Sequence, residues 1–336
     1  MKQNTLLTIS EKTGYSISTI SRVLSGKGKQ YRIGQKAIDY ITEVARSCNY
    51  TPDLIAQSLR TRKTNTIGLT VPSIDNPFFA TLSSIIINQL KSSGYNVILT
   101  DTMENAQNEV EALNSFISRK VDGIIAVPVS PTPKHLEEAA RHIPVVLIDR
   151  YFENTTLPYV CTDNYIGGFI ATEHLIKKGY RNIMAIQGVR TSMPNKERLR
   201  GFLQATSDHS DIGVRHIICG NSFSIDNGYT EVKAILSSDN RPDAIFAFST
   251  TILLGVIKAI KESGMRVPEE IAIISFDNNK FLDYLDPAIT RIEQPVQAIG
   301  KLVTDNIIKM IESPDDKTMS SSQVLIRPSL IEGRSC

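Results

Sequence analysis

The segment TLLTISEKTGYSISTISRVLSGKG, residues 5–28, holds two short amphipathic stretches separated by a few turn residues. Thr5 and Ser16 each precede one stretch and can cap it by accepting backbone N–H groups. Gly14 tolerates the left-handed conformation that commonly ends a helix. In the second stretch, Ile17–Leu24, apolar residues recur at helical spacing. The segment therefore predicts two short helices joined by a tight turn.

The pattern outward from this segment divides the chain into a helical head and an α/β body. Gln35–Ser47 is a third amphipathic stretch, and three helices with a tight turn between the first two are typical of a helix-turn-helix domain. From Thr66 onward, short β-branched runs alternate with amphipathic helices, and the runs are apolar on both faces. This alternation predicts parallel sheets covered by helices, and the number of units favours two similar sheets over one.

The charges are distributed unevenly between these two parts. The chain of 336 residues is 41% hydrophobic and 21% charged, as in an ordinary globular protein, and its formal net charge is only +2. Residues 1–63 hold 11 Lys and Arg against 4 Asp and Glu, whereas the remainder holds 26 against 31. A head with a balance of +7 on a body with a balance of −5 indicates that the head binds a polyanion.

Targeting and metal-binding signals are missing from the sequence. The first residues lack the apolar region and cleavage site of a secretory signal, and the longest apolar run, Ile271–Phe276, is far shorter than a bilayer span. We therefore expect a cytoplasmic protein with no membrane partner. The 4 cysteines form no C-x-x-C pair and no histidine stands at metal-ligand spacing, so neither a metal nor another cofactor is expected.

Signatures of catalysis are also missing. The sequence contains no G-x-G-x-x-G, no P-loop, no G-x-S-x-G and no H-E-x-x-H motif. Gly167 and Gly168 lie inside a helical pattern and lack the flanking glycines of a phosphate-binding loop. An enzyme is therefore not expected. A cleft enzyme of doubly wound fold stays an alternative, and it would need titratable side chains that converge on one site.

Ten short segments occur in a familiar order along the chain. They are TISEKTGYSISTISRVLSGKG at 8–28, NYTPDLIAQSLRT at 49–61, TIGL at 66–69, DNPFF at 75–79, RKVDGII at 119–125, TEHLI at 172–176, RLRGF at 198–202, GMRVP at 264–268, SFDN at 275–278 and QP at 294–295. With them, the chain resembles the LacI-type family of bacterial transcriptional regulators, the family of the lactose and purine repressors. The resemblance covers nearly the whole chain.

The resemblance implies a helix-turn-helix head, a hinge helix with a linker, and a two-lobed body like a periplasmic binding protein. Its two lobes would be parallel α/β subdomains, with the chain passing between them more than once. The implied bounds are 1–50 for the head, 51–65 for the hinge and 66–336 for the body, with lobe 1 at 66–162 and 294–322 and lobe 2 at 163–293 and 323–336.

The resemblance also implies which side chains of the head meet double-stranded operator DNA. Ile17, Ser18 and Arg22 occupy base-reading positions, where Ile17 would pack on a thymine methyl and Arg22 would pair with guanine O6 and N7. The spacing of Ile17 also allows a place in the core, and Arg22 could be a solvated charge. The positions suited to phosphate contacts are Thr5, Ser16, Thr19, Ser21 and Ser25.

Two further segments are expected to contact DNA. The loop Lys27–Gly34 is about three residues longer than usual for the family, and its charges Lys27, Lys29 and Arg32 suit the phosphate backbone. In the hinge, Leu59 matches the leucine that inserts between base steps of the minor groove, and Ala56 allows two hinge helices to approach closely. The alternative for the hinge is a plain linker.

For the body, the resemblance implies a cleft that binds a small polar effector. The candidate contacts are Asp75, Phe78 and Phe79 from lobe 1, Arg150 and Asp163 near the crossover, and Arg198, Phe223 and Asp277 from lobe 2. Carboxylates and arginines suit a hydroxyl-rich ligand, and aromatic rings pack on its apolar face. Ser249 and Thr250 stand where the family usually has Asn-Asp, which predicts an altered ligand or a lost site. The segment Ser192–Asn195 makes a purine-type ligand less favoured.

The sequence and its resemblance together predict a homodimeric, sequence-specific repressor controlled by a sugar or sugar derivative. Its two heads would read half-sites about one helical turn apart. One alternative is a periplasmic-type sugar-binding protein, which the basic head and the missing signal peptide disfavour. Another is a regulator whose effector is a protein. The enzyme alternative has only Asp75, Asp163, Arg198 and Asp277 to offer, and these also suit hydroxyl recognition.

Overall fold

A computed structural model describes residues 5–50, 63–238, 240–313 and 322–336. The chain separates into two compact units, Met1–Thr64 and Asn65–Cys336. The predicted hinge helix, with Ala56 and Leu59, lies outside the described residues. Within the described residues, no helix is long and apolar enough to cross a membrane.

Residues 5–50 of the first unit form three helices that enclose a small core. They are α1 (Leu6–Thr13), α2 (Ile17–Leu24) and α3 (Gln35–Ser47). Gly14 ends α1 with φ at +75°, and Ser16 caps α2 by accepting a hydrogen bond from the Thr19 amide. The buried apolar side chains that join the three helices are Ile9, Ile20, Val23, Ile41 and Ala45. The predicted helix-turn-helix arrangement is present.

The second unit is built from two six-stranded sheets. The strands are β1 (Thr66–Val71), β2 (Asn96–Asp101), β3 (Gly123–Ala126), β4 (Val145–Ile148), β5 (Tyr159–Thr162), β6 (Asn182–Ile186), β7 (Arg215–Cys219), β8 (Ala244–Ala247), β9 (Ala272–Phe276), β10 (Thr290–Glu293), β11 (Gln323–Ile326) and β12 (Ser329–Ile331). The first sheet has the order β11-β5-β4-β3-β1-β2 and the second β12-β10-β9-β8-β6-β7. All pairings are parallel except the edge pair of β10 with β12. Two parallel α/β layers are thus confirmed.

Helices cover both sheets and connect their strands. They are α4 (Pro77–Ser92), α5 (Ala106–Ser118), α6 (Lys134–Ala139), α7 (Asn164–Lys177), α8 (Met193–Asp208), α9 (Ile225–Leu236), α10 (Thr250–Ser263) and α11 (Val296–Glu312). Short 3-10 turns lie at Ser210–Ile212 and Lys280–Tyr284. Because the inner strands are buried on both faces, their Ile, Val and Ala side chains form continuous cores with the helices.

The chain passes between the two sheets three times, and this corrects one predicted boundary. Residues 323–336 were expected in the second lobe. Instead, Gln323–Ile326 pairs in parallel with Tyr159–Thr162 of the first sheet, and only Ser329–Ile331 joins the second. Both segments are short, and each has a polar residue followed by consecutive apolar residues, so local periodicity does not distinguish the sheet that each one joins. Pro328 stands between them, at the point where the chain changes sheets.

Close packing of α7 on α8 depends on glycine. A Cβ atom on Gly168 would lie 2.2 Å from the carbonyl oxygen of Arg198, and one on Gly201 would lie 2.1 Å from that of Tyr165. Such distances are shorter than any van der Waals contact, so the two backbones touch only because both positions lack a side chain. Gly168, which lacks the pattern of a phosphate-binding loop, therefore has a packing role that sets the position of α8.

Candidate functional site

Among the described residues, the side chains predicted to contact DNA lie on the surface of the first unit. Ile17 is 45% exposed, so it is not a core residue despite its spacing with Ile20. The hydroxyl of Ser16 lies 2.9 Å from that of Ser18 and 2.8 Å from that of Thr19, which clusters polar groups at the start of α2. The other predicted contacts are exposed (Thr5, Arg22, Ser25, Lys27, Lys29, Arg32) or half-buried (Thr19, Ser21).

The loop after α2 is ordered by backbone hydrogen bonds and one buried glycine. The amide of Ile33 donates to the carbonyl of Gly28 at 3.0 Å, and that of Arg32 donates to Lys29 at 3.0 Å. Gly28 is buried against Ile38, where a Cβ atom would lie 2.8 Å from Cδ1. This loop brings the ring of Tyr31 to 4.2 Å from the guanidinium carbon of Arg22. Sequence reasoning missed Tyr31, because the spacing of nine residues across a loop carries no periodic signal.

A cavity of about 590 Å³ lies between the two lobes of the second unit. Eight of the ten predicted ligand contacts line it: Asp75, Phe78, Phe79, Arg150, Arg198, Phe223, Ser249 and Asp277. They come from loops and helix starts at the carboxyl ends of the parallel strands, where ligands bind in open α/β sheets. The further lining residues are Ser73, Asn76, Pro77, Glu104, Asp149, Pro194, Ser224, Ile225, Asp226, Thr251, Leu254 and Gln294.

Asp163 and Thr250 are the two predicted contacts that the structure does not bring to the cavity. The carboxylate of Asp163 caps α7 by accepting from the Ile166 amide at 3.0 Å. Thr250 is 1% exposed, and its hydroxyl accepts from the Asn279 side chain at 2.8 Å. Its neighbour Thr251 takes the place at the cavity wall. The α10 helix turns the side chain of residue 250 toward β9, which a count of motif positions could not reveal.

Arg150 is held by the carboxylate of Glu104 at the lobe 1 side of the cavity. Its Nη1 and Nη2 donate to the two oxygens of Glu104 at 2.8 and 2.6 Å, a bidentate geometry. Although burial opposes the charge, the Glu104 carboxylate raises the pKa of Arg150. The guanidinium also lies 5.9 Å from the centre of the Phe79 ring. Because both terminal nitrogens bind Glu104, this arginine is already neutralised before a ligand enters.

Asp149 carries the most perturbed carboxyl group of the cavity. It is 5% exposed and has φ at +64°, an uncommon conformation for a non-glycine residue. Burial raises the pKa of Asp149 to about 6, and the nearby charges of Arg150 and Arg198 only partly oppose this effect. A carboxyl group with such a pKa changes its protonation close to neutral pH.

Arg198 lies at the floor of the cavity with two of its five N–H donors already bound. It is 4% exposed, its Nε donates to the Asn164 side chain at 2.8 Å, and its Nη1 donates to the carbonyl of Phe248. The ring of Phe276 stacks beneath the guanidinium, with its centre 3.6 Å from Cζ. Burial lowers the pKa of Arg198, but a guanidinium stays protonated in proteins. These contacts fix the side chain in one orientation.

Hydrogen bonds link the segments in which the chain passes between the lobes, at the back of the cavity. The hydroxyl of Thr162, at the end of β5, donates to the Gln294 side chain at 2.5 Å. Gln294 in turn donates through Nε2 to Asp277 at 2.6 Å. All three are buried, and Asp277 has φ at +77°. Since these residues stand where the chain passes between lobes, a change in the angle between the lobes would alter this chain of hydrogen bonds.

The charge that lines the cavity is predominantly negative. Among the described lining residues, five are carboxylic acids (Asp75, Glu104, Asp149, Asp226, Asp277) and two are arginines. Glu104 and Asp226 supply acceptors that the Ser249 and Thr250 positions lack, yet neither was predicted. They stand in connecting segments without a motif of their own. Within the described residues, no group of three His, Cys, Asp or Glu side chains is placed to hold a metal ion.

Comparison with known proteins shows similarity to transcriptional repressors over the full chain. Residues 172–336 match the family described as a periplasmic binding protein-like domain. The chain is 31% identical to the HTH-type transcriptional repressor PurR of Edwardsiella ictaluri, covering 98% of this chain and 96% of that protein. It is 32% identical to the ribose operon repressor of Halalkalibacterium halodurans, covering 92% and 90%.

Solved structures show the same fold. The Lac repressor dimer bound to operator and the anti-inducer ONPF superposes with a TM-score of 0.86 at 20% identity, covering 98% of each chain. A periplasmic binding protein/LacI transcriptional regulator from Alkaliphilus metalliredigens, complexed with D-xylulofuranose, gives a TM-score of 0.70 at 30% identity. That second likeness covers 81% of this chain and 98% of the other.

Proposed function

The chain belongs to the LacI family of transcriptional regulators, and we propose that it is an operator-binding repressor whose effector is an uncharged, hydroxyl-rich small molecule. The effector occupies the interlobe cavity. The observation that carries this proposal is the excess of carboxylates over guanidinium groups at the cavity wall. The full-length relatives are named as repressors, which supports a sensor in this cavity rather than an active site.

The arrangement of charges favours a neutral ligand over a phosphorylated one. Ligand hydroxyl groups donate well to carboxylates, whereas a phosphate would face five acidic side chains. Both terminal nitrogens of Arg150 donate to Glu104, and two N–H groups of Arg198 donate to Asn164 and Phe248. The charge of Arg150 is therefore already balanced, and among the described lining residues five carboxylic acids outweigh the remaining charge of Arg198. The cavity volume of about 590 Å³ also falls in the usual range for small-ligand sites.

A sugar-sized ligand is consistent with the aromatic side chains at the wall. Phe78 and Phe79 meet edge to face with their ring centres 5.1 Å apart, and Phe223 lies across the cavity on lobe 2. Such rings pack on the apolar face of a pyranose or furanose. The D-xylulofuranose in the Alkaliphilus metalliredigens structure is a ligand of this class. By this analogy we assign carbohydrate as the effector class.

DNA binding is assigned to the exposed polar surface of the head. Ile17, Ser18 and Arg22 would read base edges in the major groove, while the hydroxyl groups of α2 and the basic loop contact phosphates. Two copies of the chain would bind one operator, as the Lac repressor dimer does. The ligand shifts the balance between DNA-binding states by no more than the ratio of its affinities for them.

Calorimetric titration of the full-length protein tests the ligand class. Free pentoses and hexoses are compared with the same sugars carrying a phosphate, and with purine bases. We expect a free sugar to bind and its phosphate to bind at least about tenfold more weakly, since like charges repel in a poorly solvated site. Tighter binding of a sugar phosphate, or of a purine base, would refute the assigned class.

A matched pair of variants links that binding to the cavity. Asp226→Asn removes a carboxylate from the wall, whereas Asp211→Asn removes an exposed carboxylate from the turn Ser210–Ile212. A hydrogen bond to a charged group contributes about 1.5–3 kcal/mol, so the first variant should lose about tenfold or more in sugar affinity. The second should bind as the wild type does. Equal affinities of the two variants would place the ligand elsewhere.

The regulatory part is tested by the effect of that sugar on DNA binding. Full-length protein is used to select duplexes from a random library, and the affinity for the selected duplex is measured with and without the sugar. A change in affinity for the selected duplex is expected. Failure to enrich any sequence would contradict the assignment of the head.

A further inference from the structure

An aromatic ring lies against the arginine that is assigned to base reading. The ring centre of Tyr31 is 4.2 Å from Cζ of Arg22, which is the geometry of a cation–π stack. Arg22 is exposed on the last turn of α2, and Tyr31 is 49% exposed in the loop that follows. Both side chains are therefore accessible to a macromolecular partner while they are in contact with each other.

The backbone that carries Tyr31 is fixed at both ends of the loop. Its amide donates to the carbonyl of Lys27 at 3.1 Å. The next residue, Arg32, has φ at +57°, and Ile33 then packs against the buried side chains of the head. On the other side, the loop is held where Gly28 is buried against Ile38. The backbone from which the ring projects is thus set by the fold of the head and not by Arg22.

A stack of this kind leaves the base-reading part of arginine unoccupied. The central carbon of the guanidinium lies over the ring, whereas guanine O6 and N7 are bound by N–H groups along the guanidinium edge. An arginine side chain has several rotatable bonds and loses conformational entropy when DNA fixes it. A ring that already restricts the guanidinium lowers this cost before DNA arrives.

We propose that Tyr31 is a positioning residue for Arg22 and thereby a determinant of operator specificity. The ring holds the guanidinium in the plane in which it pairs with one base of each half-site. The inference rests on the proposed DNA-binding function and adds a residue from the loop to the base-reading set. It acts through Arg22 and predicts loss of discrimination at the base pair that Arg22 reads.

The test is a selection with full-length protein and duplexes that carry about 20 random base pairs, enough for two half-sites one helical turn apart. The wild type, Arg22→Ala, Tyr31→Leu, Tyr31→Phe and the double variant Arg22→Ala/Tyr31→Leu are compared by sequencing the bound DNA. We expect Tyr31→Leu to weaken the preference at the same base pair as Arg22→Ala. Tyr31→Phe, which keeps the ring, should retain it.

The affinities for the duplex selected by the wild type give the size of the effect. The energy of a cation–π contact, from exposed to partly desolvated, corresponds to a loss of about three- to thirtyfold in the affinity of Tyr31→Leu for this duplex. The double variant should bind no more weakly than Arg22→Ala alone, because the ring acts only through the arginine. Tyr40→Leu is the matched control, since Tyr40 is an exposed tyrosine of α3, 46% accessible, and should not alter the preference.

Several outcomes would overturn the proposal. If Tyr31→Leu lost affinity equally for selected and random duplexes, and its binding depended less on salt than that of the wild type, Tyr31 would be a phosphate contact. Stronger binding would mean that the ring withholds Arg22 from DNA, and additive losses in the double variant would make the two residues independent. If Tyr31→Leu unfolds the head, a Tyr31→Phe variant that loses the preference would equally refute a role for the ring. Failure of the wild type to enrich any sequence would instead refute the proposed function.

Discussion

Replacing Asp149 by asparagine should remove a pH-dependent cost from the folded protein. Asp149 is buried, and burial raises the pKa of Asp149 from 3.8 to about 6. Between these two values, the folded state binds more protons at this residue than the unfolded state does. The free energy of unfolding of the wild type therefore decreases as the pH rises through this window, whereas an asparagine does not titrate.

The size of this effect follows from the shift. About two pKa units correspond to about 3 kcal/mol between low pH and neutral pH. About 2 kcal/mol of this difference falls between about pH 4.5 and pH 7.5, because the unfolded aspartate is already largely ionised at the lower value. Relative to the wild type, Asp149→Asn should gain that amount as the pH rises.

Urea unfolding of both proteins at several pH values measures this difference. Carboxyl groups remote from residue 149 titrate in the same way in both proteins, so they cancel when the two free energies are subtracted. Asp211→Asn, at an exposed position, serves as the matched control and should track the wild type throughout. A difference between Asp149→Asn and the wild type that stays constant with pH, or changes in the opposite direction, would refute the reasoning.

Three further substitutions test how the cavity is held. Gly168→Ala places a methyl group against the carbonyl of Arg198 and should destabilise the protein by about 1–3 kcal/mol in urea unfolding. It should also weaken sugar binding measured by calorimetry. A gain in stability from helix propensity would contradict the packing role. Glu104→Gln leaves Arg150 without its carboxylate and should lower the free energy of unfolding by about 1–2 kcal/mol. The loss is smaller than for a fully buried pair because Glu104 is 40% exposed. An unchanged unfolding midpoint in urea would show that the pair is not stabilising. Gln294→Leu removes two buried hydrogen bonds at the crossover and should cost about 2–4 kcal/mol; a variant as stable as the wild type in the same urea experiment would mean that solvent replaces them.

The regular elements of the fold could be predicted because their signals are local. The strand Thr66–Val71 and the helix Ile17–Leu24 lie where the apolar spacing placed them. The spacing of Ile17 suits either a core position or a position that faces the DNA groove, so the sequence left its role open. Only the packing of the three helices shows that its side chain is exposed. Likewise, the sheet that Gln323–Ile326 joins is decided by its pairing with Tyr159–Thr162, which is distant in sequence.

The candidate site was predictable only in part. Motif position led to eight of the 20 described residues that line the cavity, but it included Asp163, whose carboxylate caps a helix instead. It omitted Glu104 and Asp226, which stand in segments with no characteristic spacing. Together with Asp149, which was also not predicted, these two residues give the cavity its excess of carboxylic acids over arginines, so the preference for an uncharged ligand could not be obtained from the sequence.

The amino-acid sequence by itself determined the basic head, the acidic α/β body and the family, because composition, periodicity and ordered motifs are properties of the chain read in one dimension. The tertiary structure alone decided which charges face one another across the cavity and which are already paired, as in Arg150 with Glu104. It also brought Tyr31 onto Arg22. Such contacts depend on loops whose paths are fixed by distant packing, so their energies have no counterpart in local sequence.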